Sequence, residues 1–162
     1  MSQSGSFGVN STRSFTASYP GGLPASPLDK GSNKEGTFMF VKASAGIAQY
    51  AFVGIDGEGD AAELTTTTYA SSCAIGVAQV AIASGEYAWV FIGEGGGTGS
   101  GIKALFSANY AAFAVINTTA TAGVVDDAAT KILGGVVGLT LVGGAQASAE
   151  IFAAGLITKV TA

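Results

Sequence analysis

Histidine is absent from this 162-residue chain. Its absence removes the commonest general base at neutral pH, together with Ser-His-Asp and Cys-His catalysis and His-ligated zinc. The single cysteine, Cys73 in SSCAIG, excludes an intrachain disulfide framework. Because it leads into an apolar run, it is expected as a small buried residue at a strand start. Charge is scarce as well, with 7 Lys and Arg against 11 Asp and Glu and a net charge of −4. The bases are scattered, whereas a nucleic-acid groove needs them clustered to displace counterions from phosphates. Lys30 and Lys34 come nearest to a cluster, but Asp29 and Glu35 cancel them, so DKGSNKEG reads as a solvated linker. Long apolar runs are missing too. The window from Ile132 to Ala145 is shorter than the roughly 18 to 20 residues of a spanning helix, and glycines interrupt it, so no membrane partner is expected. The opening MSQSGSFGVN has neither the basic nor the apolar region of a secretory signal.

What the chain has in quantity is alanine, glycine and short β-type runs. At 48% hydrophobic with 25 glycines, it has too much apolar character for disorder over most of its length. Small side chains in such number suit tightly packed β structure. Residues 1–36 differ from the rest: they hold all three prolines and the isolated aromatics Phe7, Phe15 and Tyr19, with no helical or strand period. They are expected to form an extended N-terminal arm whose aromatics anchor on another surface. Residues 37–162 form the β domain. TFMFVK, QYAFVGI, ELTTTT, AIGVAQVAI, EYAWVFI, GIKALF, FAVI, ILGGVVGLTLV, SAEIF and LITKV are its expected strands, punctuated by Gly, Asp and Asn. The fold class is therefore all-β, sandwich-like or barrel-like. IKALFSANYAAFAVI is the one run whose alanines would equally suit a helix.

A repeat organises this region. AQYAFVGID from Ala48 resembles ANYAAFAVIN from Ala108, and GVAQVAI from Gly76 resembles GVVGLTL from Gly135. Two similar β units follow, about 47–93 and 107–154, joined by the Gly-rich 93–101. That junction, GEGGGTGSG, could in principle cradle a phosphate, and GSGIKA satisfies the relaxed dinucleotide fingerprint. A strand-like run follows it instead of a helix, and no GK[ST] occurs, so it is expected as a connector with no cofactor. DGEGD, Asp56 to Asp60, could offer oxygens to Ca²⁺. However, Ala61 and Thr67 stand where the EF-hand loop needs its glycine and its glutamate, and a hairpin turn accounts for the same residues without a metal. No catalytic residues are expected. In EYAWVFI, Tyr87, Trp89 and Phe91 share one face of a strand and Ala88, Val90 and Ile92 the other, the pattern of a strand buried on both sides.

The run from Ala74 to Thr140 resembles the small head decoration, or cement, proteins of tailed bacteriophages. The resemblance lies in GVAQVA at Gly76 to Ala81, YAWV at Tyr87 to Val90, a glycine-containing turn, and TATAGVVDD at Thr119 to Asp127 before a further G-x-V strand. It covers roughly Ala43 to Val160 and leaves the arm outside. The resemblance implies a non-enzymatic structural protein of the virion, commonly a homotrimer. Such a protein is made in the host cytoplasm and bound to the outer surface of the capsid at junctions of the major capsid protein, with no small-molecule substrate. On that expectation Phe7, Arg13, Phe15 and Tyr19 are the capsid-contact residues. The alternative expectation is a glycan- or surface-binding β module of a phage fibre or cell-surface assembly, for which Asn109, Tyr110 and Asn117 would form a small polar site.

Overall fold

In the run Thr37–Ala43, Phe38, Phe40, Val41 and Ala43 are buried and Thr37, Met39 and Lys42 half-buried, as suits a strand with one face on an interior and the other partly covered. The computed structural model describes residues 28–29, 34–128 and 131–160. The strands are β1 (Leu28–Asp29), β2 (Lys34–Glu35), β3 (Thr37–Ala43), β4 (Phe52–Ile55), β5 (Asp60–Glu63), β6 (Ala74–Ala78), β7 (Tyr87–Gly96), β8 (Lys103–Phe106), β9 (Val115–Thr118), β10 (Val125–Asp126), β11 (Ile132–Gly138) and β12 (Ala147–Lys159). One helical turn, α1 (Thr68–Ser71), interrupts them. The chain is all-β.

The ten strands from β3 onward make two closed rings. The first runs β7-β3-β5-β4-β6 and closes where β6 pairs with β7; the second runs β12-β8-β10-β9-β11 and closes where β11 pairs with β12. Closure satisfies the backbone donors and acceptors that an open sheet would leave at its edges. The two rings have the same plan, with one parallel pair each, β3–β5 and β8–β10, and all other pairs antiparallel. They meet at a seam where β7 pairs antiparallel with β12, Gly93 opposite Leu156 and Gly96 opposite Phe152.

Equivalent backbone bonds fix the correspondence residue by residue. Tyr50 N–H donates to Ala78 C=O in the first ring and Phe113 N–H to Gly138 C=O in the second. Both aromatics sit in the left-handed region, at φ 66° and 62°. The turn Ala48–Ala51 thus corresponds to Ala111–Ala114, downstream of the run at Ala108 that its sequence resembles. The two interiors match in the same way: Val41, Ile47, Val53, Ile82 and Val90 fill one, and Ala104, Tyr110, Ile116, Val142 and Ile151 the other.

The two interiors differ in side-chain size at three matched positions. Where the first ring has Ala43, Ile47 and Ala78, the second has Phe106, Tyr110 and Gly138. The Phe106 and Tyr110 rings lie 4.2 Å apart, centroid to centroid. A methyl group built on Gly138 would stand 2.6 Å from Tyr110 Cε1 and 2.7 Å from Phe106 Cζ. The two aromatics therefore occupy the space that the Ala78 methyl fills in the first ring.

Several sequence expectations change. Only Asp60–Glu63 of the stretch around ELTTTT is strand; Thr65 and Thr68 exchange side-chain to backbone bonds at 2.8 and 3.0 Å, which fold the threonines into a turn. SAEIF and LITKV form one strand of 13 residues. IKALF is strand, not helix. Gly93–Gly96 belongs to β7, so only the rest of the Gly-rich stretch connects the rings. Gly93 (φ 140°) and Gly96 (φ 88°) lie against the β12 backbone, where any Cβ would strike the carbonyl oxygens of Gly155 and Ile151. Cys73 is exposed, and the buried position is its neighbour Ser72, whose Oγ donates to Thr68 C=O at 2.9 Å. Within the segment expected to be an extended arm, β1 and β2 pair antiparallel, so this part folds back on itself.

The exchange at Gly138 is testable by thermal unfolding. Gly138→Ala should overfill the second ring and cost about 1 to 3 kcal/mol, while Gly143→Ala, with nothing within 4 Å of the added carbon, should leave the melting temperature nearly unchanged.

Candidate interaction surface

Two of the stretches that carry the sequence resemblance, at Gln79 and at Thr119 to Gly123, hold the two rings together. Gln79 follows β6 and is 1% exposed. Its Nε2 donates to Lys103 C=O at 3.0 Å and its Oε1 accepts from Lys103 N–H at 3.1 Å, so the side-chain amide acts as one more strand residue beside β8. Gln49 Nε2 in turn donates to Gln79 C=O. On the other side of the junction, the loop between β9 and β10 reaches onto the first ring. Phe52 N–H donates to Gly123 C=O, Gly123 N–H to Leu64 C=O, and Thr66 N–H to Thr119 C=O, each at 2.9 Å. Thr119 Oγ1 donates to Val124 C=O at 2.8 Å and fixes the loop's shape. Trp89 packs on Phe40 at 5.1 Å, and Phe40 stacks on Tyr87 at 5.6 Å, so these aromatics are engaged with one another. α1 completes the junction: Tyr69 Oη donates to the carbonyls of Ile132 and Val160 at 2.8 and 3.2 Å.

The glycine-rich connector is already filled by an anion from within. Gly99 N–H and Gly101 N–H donate to the Glu150 carboxylate at 3.0 to 3.2 Å, and Gly97 N–H donates to Ile151 C=O. The backbone groups that could have cradled a phosphate therefore serve to anchor the loop to β12. In the DGEGD turn, Asp56 Oδ1 accepts from Glu58 N–H and Asp60 N–H at 3.0 and 2.9 Å, a tight turn built by one side chain. Among the described residues, no group of three or more His, Cys, Asp or Glu is placed to hold a metal.

The three residues considered for a polar glycan site are not brought together at the surface. Asn109 is exposed, whereas Tyr110 lies in the interior of the second ring and Asn117 is 3% exposed. Tyr110 Oη donates to Ala114 C=O at 2.9 Å and accepts from Gly138 N–H at 3.1 Å. Burial pushes its pKa above the usual 10.0, the Gly138 bond partly offsets this, and the Asp127 charge adds to the rise. Asp127 moves the other way: Ala111 N–H donates to its carboxylate at 2.9 Å and lowers its pKa. Phe7, Arg13, Phe15 and Tyr19, the expected capsid contacts, lie outside the described residues.

Sequence reasoning missed an apolar face on the second ring. In the first ring, Phe52, Val77 and Phe91 face one another across β4, β6 and β7, and each is 0% exposed. They belong to the core cluster that continues into the second ring through Leu133 and Ile157. Their counterparts Val115, Val137 and Phe152 stand in the same register across β9, β11 and β12. There Val115 is 56% and Phe152 43% exposed, and Phe113 beside them is 68% exposed. These residues line a shallow groove of about 490 Å³ with Ile132 and Ala154, and no lining residue carries a charge. The pairing register is the signal that would have revealed it, since AEIFA alternates like any other half-buried strand and VINT carries no clear period.

No helix among the described residues is long and apolar enough to cross a membrane. Comparison with protein-family models, curated proteins and solved structures finds no match to this chain.

Two outcomes follow from this geometry. Gln79→Ala leaves a buried N–H and C=O of Lys103 without their partner and should cost about 1 to 3 kcal/mol in urea unfolding. Tyr110 holds its proton more tightly when folded than when unfolded. Its contribution is complete below pH 10 and is lost as pH rises from there through the raised folded value. Tyr110→Phe should therefore flatten the alkaline limb of a stability-against-pH curve.

Proposed function

We propose that this chain is a structural decoration subunit that coats the outer surface of a tailed-phage capsid and reinforces the lattice of its major capsid protein. The observation that supports this reading is the position of the residues shared with cement proteins. Gln79 and the Thr119–Gly123 loop are spent on holding one ring against the other, and Trp89 packs on Phe40 within the first ring. Rigidity is the property a lattice clamp needs, and these residues supply it. Closed rings serve the same end. Subunits crowded on a shell lie at high local concentration, where free sheet edges would pair with their neighbours, and closure removes such edges. Crowding also lets a modest contact per copy add up through avidity.

On this reading the segment before β1 is the attachment device. A chain segment that orders on its partner can cover a large surface while adding little to its own domain's core. Phe7, Phe15 and Tyr19 supply the apolar anchors, and Arg13 the partner for a capsid carboxylate.

Co-sedimentation with undecorated capsids tests the proposal. The full chain should pellet with the capsids and raise the temperature at which they rupture, and deletion of residues 2–27 should reduce the bound fraction by tenfold or more. A full chain that stays in the supernatant would end the decoration reading; a truncated chain that binds undiminished would end the role of the arm.

A further inference from the structure

The apolar groove on the second ring is the place where the two rings depart most from their common plan. The same positions in the first ring are buried because the second ring and α1 cover them: Tyr69, Phe52, Val77 and Phe91 share one core cluster with Leu133 and Ile157. In the second ring, no described element lies over Val115 and Phe152, which stand exposed with half-buried Val137 between them. The face is also continuous with the junction already built, since Phe152 and Leu156 on β12 pair with Gly96 and Gly93 at the seam. An uncharged apolar groove of this kind marks a protein contact.

We infer that this face is covered by the same face of a second copy of the chain. Two arrangements of the described residues compete, and charge decides between them. Continuing the intrachain arrangement head to tail would bring up the neighbour's β4–β5 turn, which corresponds to the Thr119–Gly123 loop. That turn carries Asp56, Glu58 and Asp60. Setting three carboxylates against a groove that offers no charge or polar side chain would strip them of water without compensation. The face itself presents only Phe113, Val115, Ile132, Phe152 and Ala154 with their neighbours, so meeting its own copy buries apolar surface against apolar surface. A same-face contact closes by rotation and does not propagate into a filament. The inference stands on the ring geometry and does not require the capsid reading.

The test is the solution mass of the full chain by light scattering, without capsids. Wild type should have at least twice the single-chain mass of 15.9 kDa. Phe152→Glu and, separately, Phe113→Glu should each return it to one chain, with far-UV circular dichroism unchanged to show that the rings persist. Leu141→Glu alters an equally exposed apolar residue outside the groove and should leave the oligomer intact. Mixing Phe152→Glu with Phe152→Lys should restore the larger mass, because opposite charges then meet across the contact. Three results would overturn the inference: a wild type of single-chain mass, an oligomer that survives both glutamate variants, or glutamate and lysine variants that stay apart when mixed. None of these results bears on capsid co-sedimentation, so the two proposals fail independently.

Discussion

The structure depends on backbone hydrogen bonding carried around a closed circuit. A chain with so few charges and so many alanines and glycines has little side-chain means of holding a sheet in place, and an open sheet would leave a row of unpaired donors and acceptors at each edge. β7 and β12 solve this twice over. Each pairs with two strands of its own ring, and the two also pair with each other. Such sharing requires β12 to approach β7 more closely than a side chain would allow, and Gly93 and Gly96 make that approach possible.

On this common backbone the side chains have diverged in compensating ways. One interior is lined by alanine, valine and isoleucine; the other sets two large rings, Phe106 and Tyr110, against a glycine. The outer faces did not diverge in chemistry, since Phe52, Val77 and Phe91 are answered by Val115, Val137 and Phe152. They differ in what lies over them. The asymmetry between the halves is therefore one of cover: the second ring lies over the outer face of the first.

The sequence makes the all-β class legible, because runs such as TFMFVK and YAWVFI alternate or are apolar throughout, and turn residues bound them. Where it misleads, local chemistry has overruled propensity. The threonines after Leu64 favour strands as residue types, but their hydroxyls find backbone partners two to four positions away and bend the chain. Cys73 and Ser72 differ in burial because Gly54, which has no Cβ, leaves room for the Ser72 hydroxyl, a neighbour seen only once β4 and β6 are paired. The glycine-rich stretch could be assigned to a connector for want of a following helix, but Glu150 as the occupant of its N–H groups lies some fifty residues away. The candidate surface was illegible for the same reason: AEIFA alternates like a half-buried strand, VINT has no clear period, and only cross-strand register shows that one side of them is exposed.

The long strand β12 is the last of the described strands, and it contributes to the second ring and to the seam. A chain emerging from the ribosome therefore completes the first ring's circuit well before the segment that covers its outer face has been made. Phe52, Val77 and Phe91 must wait, solvated, for residues far downstream. Folding is thereby vectorial in a specific sense: the first ring can acquire its topology early but reaches its full stability only when the final strand latches, and slowing synthesis between Gly97 and Ala147 would lengthen the interval in which that apolar face is open to other chains.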